Sequence, residues 1–299
     1  MKTDPSLLYD AVPPSIWHDA GLLEQLWQAE RSRSLFGRQN PERAGAGWWS
    51  VRASSFARRT GGSRGRRRQE KLMAMLEKAG LLGGRHEALD IGCGPGNVAL
   101  PLARRMKRVV ALDPSEDMLA ILERRAARAG IKNIETVHMR WEDVDLDRLG
   151  WRGRFRVAIA SMSPGIRDVA TLQKMQAASC RGCYLSGFTR RFDRAQDELW
   201  RLFFHEPMPD LPADVFCIFH LLHAWGCCPS LELSSEKTRQ RCSMQAALEE
   251  MNLLMMPYVE QSEKTRSIIE NYVRSASPQG VFTRERSFVE ARMIWPVRR

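Results

Sequence analysis

The chain of 299 residues is 43% hydrophobic and 27% charged, and it contains 21 glycines and 15 prolines. These fractions are ordinary for a folded globular protein, and they exclude a collagen-like, low-complexity or wholly disordered chain. The length predicts one large α/β domain with insertions, or two smaller domains.

The composition and the first residues predict a cytoplasmic protein. Its longest apolar runs fall far short of the roughly 20 residues that a bilayer span requires. The N-terminal segment has acid and proline where a signal peptide needs an apolar stretch. Seven cysteines, an odd number without a secretion signal, favour reduced thiols.

The formal net charge of +11 is concentrated in residues 31–71. That stretch holds twelve basic and two acidic residues, a net +10, so the rest of the chain sums to only +1. Such a stretch could contact RNA phosphates or form a solvated loop. It has no interleaved aromatic platform and no recognisable RNA-binding module, so nucleic-acid binding is possible but not favoured.

The N-terminal third predicts helices. Residues 1–47 read as a helical extension that ends in a turn-rich linker, and the segment from Trp48 begins the main domain, which extends to residue 299. An aromatic helix follows, then a loop rich in glycine and arginine, and then an amphipathic helix from about Arg67 to Ala79.

From Glu87 onward, apolar strands alternate with helical patterns as far as the strand CYLSGFT. This alternation predicts βαβ units and a mostly parallel sheet. Helical insertions interrupt the rhythm at about 190–225 and 240–280, with a strand at LELSSE between them and a final strand at SFVEARMIW.

The segment ALDIGCGPG is the most informative one in the sequence. Glycines at alternate positions after a strand let the backbone approach a ligand closely. Asp90 ends the strand before the turn, and Asp113 ends the next strand, where an acid can accept hydrogen bonds from ribose hydroxyls. A dinucleotide fold prefers G-x-G-x-x-G and has little use for the first acid. The pattern therefore favours a cationic ligand that carries a ribose.

The segments LDIGCGPGNVALPLA and VVALDPSEDML resemble motif I and its successor in the class I S-adenosylmethionine (SAM)-dependent methyltransferases. These form a doubly wound, seven-stranded family that includes ubiquinone- and menaquinone-type enzymes, and the likeness extends from about Trp48 to Gly187. The resemblance implies SAM as cofactor and S-adenosyl-L-homocysteine as product. The cofactor contacts that it implies are Asp90, Gly92, Cys93, Gly94, Gly96, Asp113 and Met118.

Two further segments bear on the cofactor. Trp49-x-x-x-Ala53-x-x-Phe56 is similar to the helix that covers the cofactor in many members. After the third strand the family commonly has an Asp-Ala pair, whereas this chain has Arg140 and Trp141. The resemblance then implies that Trp141 stacks on adenine while Glu142 or Asp143 meets its amino group. Ser161 ends the fourth strand, in SMSPG, and is a further candidate contact.

The residue types leave the acceptor and the base open. Methyl transfer needs a base only if the nucleophile must lose a proton, and the candidates are His138, His205, His220, His223 and Tyr258. Cys217, His220 and His223 have a spacing compatible with a metal, but the surrounding helix is apolar, so no metal is expected. Five aromatics of the first insertion either line an apolar pocket or pack the insertion, namely Trp200, Phe203, Phe204, Phe216 and Phe219.

These observations together predict SAM-dependent methyl transfer to a small-molecule acceptor. An RNA or protein methyltransferase that uses residues 31–71 is the alternative, and a cofactor-binding protein with no acceptor of its own is a third reading. The sequence specifies neither the acceptor atom nor the oligomeric state.

Overall fold

The structure, a computed structural model, describes residues 16–297 of the chain. One seven-stranded sheet runs through the centre of this region. Its strands are β1 Gly83–Ile91, β2 Met106–Asp113, β3 Ile134–His138, β4 Phe155–Ser161, β5 Ser179–Asp193, β6 Ser230–Ser243 and β7 Val281–Pro296. The central strands are near-continuous apolar runs because helices cover both of their faces.

The strand order is β3-β2-β1-β4-β5-β7-β6. Strands β1 to β5 are parallel, whereas β7 runs antiparallel to both β5 and β6. This confirms the predicted doubly wound, mostly parallel seven-stranded sheet. The direction of winding reverses between β1 and β4, and ligands of such sheets bind beside that point, outside the carboxyl ends of the strands.

Eleven α-helices occur within residues 16–297. They are α1 Ala20–Arg33, α2 Pro41–Ala44, α3 Ala46–Thr60, α4 Ser63–Lys78, α5 Ala99–Ala103, α6 Glu116–Arg128, α7 Val169–Ala178, α8 Arg194–Phe204, α9 Asp214–Ala224, α10 Met244–Met255 and α11 Glu263–Ser275.

The two faces of the sheet carry separate apolar cores. Leu89 and Ile91 of β1 pack on one face together with residues of α1, α7 and α9. Ala88, one position away, packs on the opposite face with residues of α4, α5 and α6. This alternation is the period of two that a strand imposes on its side chains.

Helical insertions follow β5 and separate β6 from β7, as predicted. Helices α8, α10 and α11 share a third core that includes Trp200, Met251 and Ile269, and we call this unit the insertion cap. The predicted helix from residue 240 is wrong in its first residues. Strand β6 continues to Ser243, and Cys242 still pairs with Phe282 of β7.

The prediction of a loop rich in glycine and arginine is also wrong. Only Gly61 and Gly62 separate α3 from α4, and α4 begins at Ser63. Arginine is a good helix former, so a run of arginines extends the helix that follows it. The basic residues from Arg64 to Arg68 therefore lie on a helix.

The N-terminal extension packs against the first insertion. Helix α1 lies on α9, and the indole Nε1 of Trp27 donates to Oδ1 of Asp214 over 2.7 Å. Arg31 pairs with the same carboxylate. A boundary at residue 47 stays a prediction, and residues 1–15 lie outside the described part. Between residues 16 and 297, no helix is both long and apolar enough to cross a membrane.

Candidate active site

The glycine-rich turn joins β1 to α5 at the carboxyl edge of the sheet. The backbone N–H groups of Gly92 and Cys93 donate to the carbonyl of Leu112 on β2, over 2.8 and 3.0 Å. Gly92 has φ = +68°, and a Cβ there would lie 2.2 Å from Oγ of Ser163. Both the left-handed backbone and the close approach of the loop after β4 therefore require glycine at this position.

Asp113 ties the turn to the next loop. Its Oδ2 accepts from the backbone N–H of Gly94 over 2.8 Å, and its Oδ1 accepts from the N–H of Ser115 over 2.9 Å. Burial raises the pKa of Asp113, while these two hydrogen bonds oppose the rise. Each carboxylate oxygen can accept a second hydrogen bond. The carboxylate is thus fixed in position beside the turn, and its contact with a ribose stays a prediction.

Asp90 is the least compensated polar group of the site. It is 1% exposed, and its Oδ2 has no hydrogen-bond partner within the described residues. The pKa of Asp90 is raised to about 7, first by burial and then by the charge of Asp113, whereas a backbone hydrogen bond from Ala99 opposes the rise. A buried carboxylate oxygen without a donor fits the ammonium group of a bound ligand.

Helix α3 covers the turn. At its start, Oγ of Ser50 lies 2.9 Å from Oγ of Ser115, the N-cap of α6. At its end, Thr60 Oγ1 accepts from the side-chain amide of Asn97 over 2.8 Å. Between these contacts, a Cβ on Gly94 would lie 4.0 Å from the ring of Phe56. The helix similar to the family's cofactor-covering helix therefore lies directly over the glycines.

The structure brings three other predicted contacts to the same place. Met118, one turn into α6, lies beside Gly94, with its sulfur 4.0 Å from a Cβ at that glycine. Cys93 is 6% exposed, and burial raises the pKa of its thiol well above the usual value. Gly96 has a packing reason of its own, because a Cβ there would lie 2.2 Å from Leu122 of α6.

Trp141 and Glu142 follow β3 and lie on a short 3-10 turn. The ring of Trp141 is 2% exposed within the core, and its Nε1 donates to the carbonyl of Thr171 over 3.0 Å. Glu142 is paired with Arg167 at 3.2 Å. Lys174 holds the turn by donating to the carbonyls of both residues. Trp141 thus supports the turn from below, and contact of either side chain with adenine stays a prediction.

Ser161 lies at the end of β4 and contacts a polar cluster that was not predicted from the sequence. Its Oγ is 3.1 Å from Oγ of Ser186 on β5, and Ser186 pairs across the ladder with Arg292 of β7. Arg292 is 3% exposed, donates to Ser234 Oγ over 3.0 Å, and lies 3.2 Å from the buried carboxylate of Glu290.

Helix α4 closes this polar cluster from above. Nε of Arg68 donates to Oε2 of Glu290 over 2.9 Å, and its guanidinium lies over the rings of Phe188 and Phe288 at 5.6 and 5.2 Å. The signal in the sequence was the pair of charged residues Glu290 and Arg292, two positions apart in the otherwise apolar segment 288–295 of the final strand. Period-two charges on one face of a strand indicate a buried polar partner there.

The predicted metal-compatible helix has another role. The ring of His220 lies 4.3 Å from that of Trp17, and His223 lies 5.6 Å from His18, so both histidines contact the N-terminal extension. No group of three or more potential metal ligands was found in the described part of the chain. His138 reaches the carbonyl of Pro114 from an exposed position.

Tyr258 is the candidate base that lies near the covering helix. It is half-buried beside the insertion cap, with its ring 5.2 Å from Trp200. Its hydroxyl accepts a hydrogen bond from Gln39 over 3.3 Å. Burial raises the pKa of Tyr258, and the charges of Arg191 and Arg52 oppose the rise.

Comparisons with known proteins agree with this geometry. Residues 88–181 match a family model described as a methyltransferase domain. Over 146 residues the chain is 30% identical to an uncharacterized protein of Haemophilus influenzae, which covers 48% of this chain and 50% of that protein. The chain therefore spans half the length of this relative. It spans smaller shares of the two enzymes described next.

Two shorter matches carry enzyme names. The 23S rRNA (uracil(1939)-C(5))-methyltransferase RlmD of Edwardsiella ictaluri is 38% identical over 63 residues, which are 21% of this chain and 14% of that enzyme. The probable cobalt-precorrin-6B C(15)-methyltransferase (decarboxylating) of Methanocaldococcus jannaschii is 34% identical over 67 residues, 22% of this chain and 36% of that enzyme.

A solved structure supports the fold. The YcgJ protein of Bacillus subtilis superposes with a TM-score of 0.51 and 13% identity, covering 77% of this chain and 99% of that one. At this identity the match concerns the fold alone.

Proposed function

We propose that this protein, whose residues 88–181 match the model of a methyltransferase domain, transfers the methyl group of SAM to a small-molecule acceptor. The observation that carries the proposal is the buried Oδ2 of Asp90, which lacks a donor beside a glycine turn that is closed by a covering helix. When bound, SAM supplies a methyl group on a positively charged sulfur.

The chain's own residues would act mainly by alignment. A ligand at the turn would meet bare backbone at Gly94, and Asp90 and Asp113 would offer carboxylate oxygens to its ammonium and ribose ends. Helix α3 excludes water from above the turn. In-line displacement gains most from such orientation and dehydration.

The acceptor would approach over the end of β4, beside Ser161, whose hydroxyl lies 3.1 Å from that of Ser186 in the middle of β5. The partly exposed hydroxyl of Ser161 would offer a polar anchor there. Such a group suits a small organic acceptor with at least one polar group. Burial raises the pKa of Tyr258, so its protonated hydroxyl would not act as the base.

The basic stretch gives the RNA alternative less support than its charge implies. Arg64 pairs with Glu236 at 3.2 Å and Arg68 with Glu290 at 2.9 Å, while Arg38 pairs with Glu206. Guanidinium groups engaged in this way are less able to neutralise phosphates. The short similarity to RNA-modifying enzymes keeps RNA as the second candidate.

Calorimetry with SAM tests the cofactor assignment. We expect Asp113→Ala to weaken SAM binding at least about tenfold, or about 1.4 kcal/mol, because it removes the ribose acceptor and frees the turn. Asp117→Ala is the matched control, since this exposed acid lies four residues away on α6 and should bind SAM as the parent does. Unchanged affinity in Asp113→Ala would contradict the ribose assignment, and absence of binding to the parent protein would contradict the proposed function.

A second experiment identifies the acceptor class. The protein is incubated with SAM labelled on its methyl group, together with a metabolite extract in one reaction and total RNA in another. We expect label in a low-molecular-weight product from the extract. Label found only in RNA would replace the small-molecule acceptor with RNA while leaving methyl transfer intact.

A further inference from the structure

A second concave site lies behind the glycine-rich turn, on the side away from the strand ends β4 and β5. It is an open cavity of about 340 Å³ between helices α4, α5 and α6. Its lining includes Gly96, Asn97 and three arginines, namely Arg104, which follows α5, and Arg125 and Arg128 of α6. Its volume lies within the range of small-molecule sites.

The charge of this cavity is not compensated by the protein. None of the nine lining residues is acidic. Arg125, which is partly buried, donates from Nη1 to the carbonyl of Pro95 over 2.6 Å and to Oδ1 of Asn97 over 3.0 Å, and both acceptors are neutral. Burial lowers the pKa of Arg125. A buried cation with neutral partners only is costly unless an anion joins it.

The other two arginines of the cavity also lack an acidic partner, whereas two nearby arginines have one. Arg105 pairs with Glu77 and Arg108 with Glu135. Arg104 and Arg128 form no ion pair with any residue between positions 16 and 297. Three arginines without an acidic partner therefore line one cavity, and their guanidinium groups keep N–H donors for a ligand. The planar, forked set of N–H donors on a guanidinium group matches the oxygens of a phosphate group.

We propose that this cavity binds a small ligand that carries a phosphate or pyrophosphate group, held by Arg104, Arg125 and Arg128. The concave shape and its size favour a small phosphate ester over a polynucleotide, whose backbone follows extended basic surfaces. Apart from Gly96, none of its lining residues is among the contacts that the family resemblance assigns to the cofactor.

The cavity is linked to the candidate active site through two side chains. Arg125 holds the carbonyl of Pro95, which is inside the glycine-rich turn. Asn97 accepts from Arg125 and donates to Thr60, the last residue of the covering helix α3. An anion that fixes Arg125 therefore stabilises the turn and the end of the covering helix together. By linkage, the anion and the cofactor should strengthen each other's binding.

Titration of the full chain with inorganic pyrophosphate tests the site without any need for SAM. We expect measurable binding that weakens with salt, as charge pairing requires. Arg104→Gln and Arg128→Gln should each weaken it about tenfold, because each removes a charge-assisted hydrogen bond. Arg124→Gln is the matched control, since this exposed arginine on α6 does not line the cavity, and it should leave binding unchanged.

The opposite outcomes overturn the proposal. Absence of pyrophosphate binding at millimolar concentration, or an equal loss in Arg124→Gln, would show that the cavity is a solvated groove only. A single-stranded RNA that binds far more tightly than pyrophosphate, with the same dependence on Arg104 and Arg128, would replace the small ligand with a nucleic acid. Because SAM is absent from the titration, failure here is distinguishable from failure of the proposed function.

Discussion

Asp90 and Asp113 are neighbouring buried acids whose carboxylates differ in hydrogen bonding. Asp113 accepts two backbone hydrogen bonds that offset part of its burial. Asp90 has the field of Asp113 added to complete burial, and its pKa is about 7. Near neutral pH Asp90 therefore changes its protonation state in response to small changes in its environment, and a cation placed beside Oδ2 favours the ionised form.

The raised pKa of Asp90 predicts two opposite pH dependences. In the ligand-free protein the native pKa of about 7 exceeds the unfolded value near 3.8, so the folded state holds the proton more tightly. This stabilisation is complete below about pH 4 and is lost as the pH rises through about 7. If ionised Asp90 binds the ammonium group of SAM as proposed, the increase in Tm that SAM causes should grow over the upper part of the same range.

Melting curves from about pH 5.5 to pH 8, with and without SAM, measure both trends. Asp90→Asn should remove the part of the pH dependence of Tm that Asp90 causes in the ligand-free protein. In this variant the increase in Tm caused by SAM should no longer grow with pH. Asp117→Asn, an exposed acid on α6, serves as control and should behave as the parent protein does. A SAM-induced shift that is independent of pH in the parent would contradict a role for ionised Asp90.

At the scale of the element, two aromatic side chains on the same face of helix α8 differ in burial. Trp200 is 1% exposed in the core of the insertion cap, whereas Phe204 is 37% exposed at the end of the helix. Their rings are in contact, with centroids 4.3 Å apart. The sequence grouped these aromatics as one pocket-lining or packing set, because periodicity shows which residues share a helix face but not which neighbour covers that face.

Alanine substitutions separate the two roles. Trp200→Ala should destabilise the protein by about 3–5 kcal/mol, because it leaves a cavity in the insertion cap, and Tm should fall clearly. Phe204→Ala should leave SAM affinity within about threefold, under about 1 kcal/mol, while lowering turnover once the acceptor is known. A large loss of Tm in Phe204→Ala would show that this ring packs the cap, as Trp200 does.

The βαβ part of the fold was predictable because local signals agree there. Two apolar strands end in a turn signal, at Gly92 and at Pro114, and helices α6 and α7 have side-chain N-caps, Ser115 and Asp168. The lengths of β6 and β7 were not predictable in the same way. Strand β6 is a mostly exposed edge strand of polar residues, and its extended form is stabilised by pairing with β7.

The candidate site was predictable to a similar degree. The turn, both acids and the covering helix lie together because motif spacing specifies local backbone geometry. The cluster of Arg68, Glu290 and Arg292 was not predictable. It joins residues more than 200 positions apart, and only the sheet topology brings α4 to β7.

At the scale of the whole molecule, the charge of residues 31–71 has a structural use. Arg31, Arg38, Arg64 and Arg68 pair with acids of α9, of the loop after α8, of β6 and of β7, respectively. These pairs attach the N-terminal helices to the insertions and to the last two strands. A local excess of +10 in the sequence is thus partly neutralised by acids that are distant along the chain.

This pairing leads to a final prediction about nucleic acid. Arg66 and Arg67 are exposed on α4, whereas Arg64 and Arg68 are partly buried in ion pairs. If the stretch is structural, total RNA should bind weakly at near-physiological salt. Replacing Arg66 and Arg67 by Gln should then leave both Tm and methyl transfer to a small acceptor nearly unchanged.

The matched double variant Arg64→Gln and Arg68→Gln makes this prediction decisive. It removes the same formal charge but leaves the buried Glu290 without its partner on α4, so Tm should fall although RNA binding changes little. RNA titrations at two salt concentrations compare both variants with the parent. Tight binding with a steep salt slope, lost in Arg66→Gln with Arg67→Gln at unchanged Tm, would mean that the exposed arginines hold phosphates and that RNA is the acceptor class.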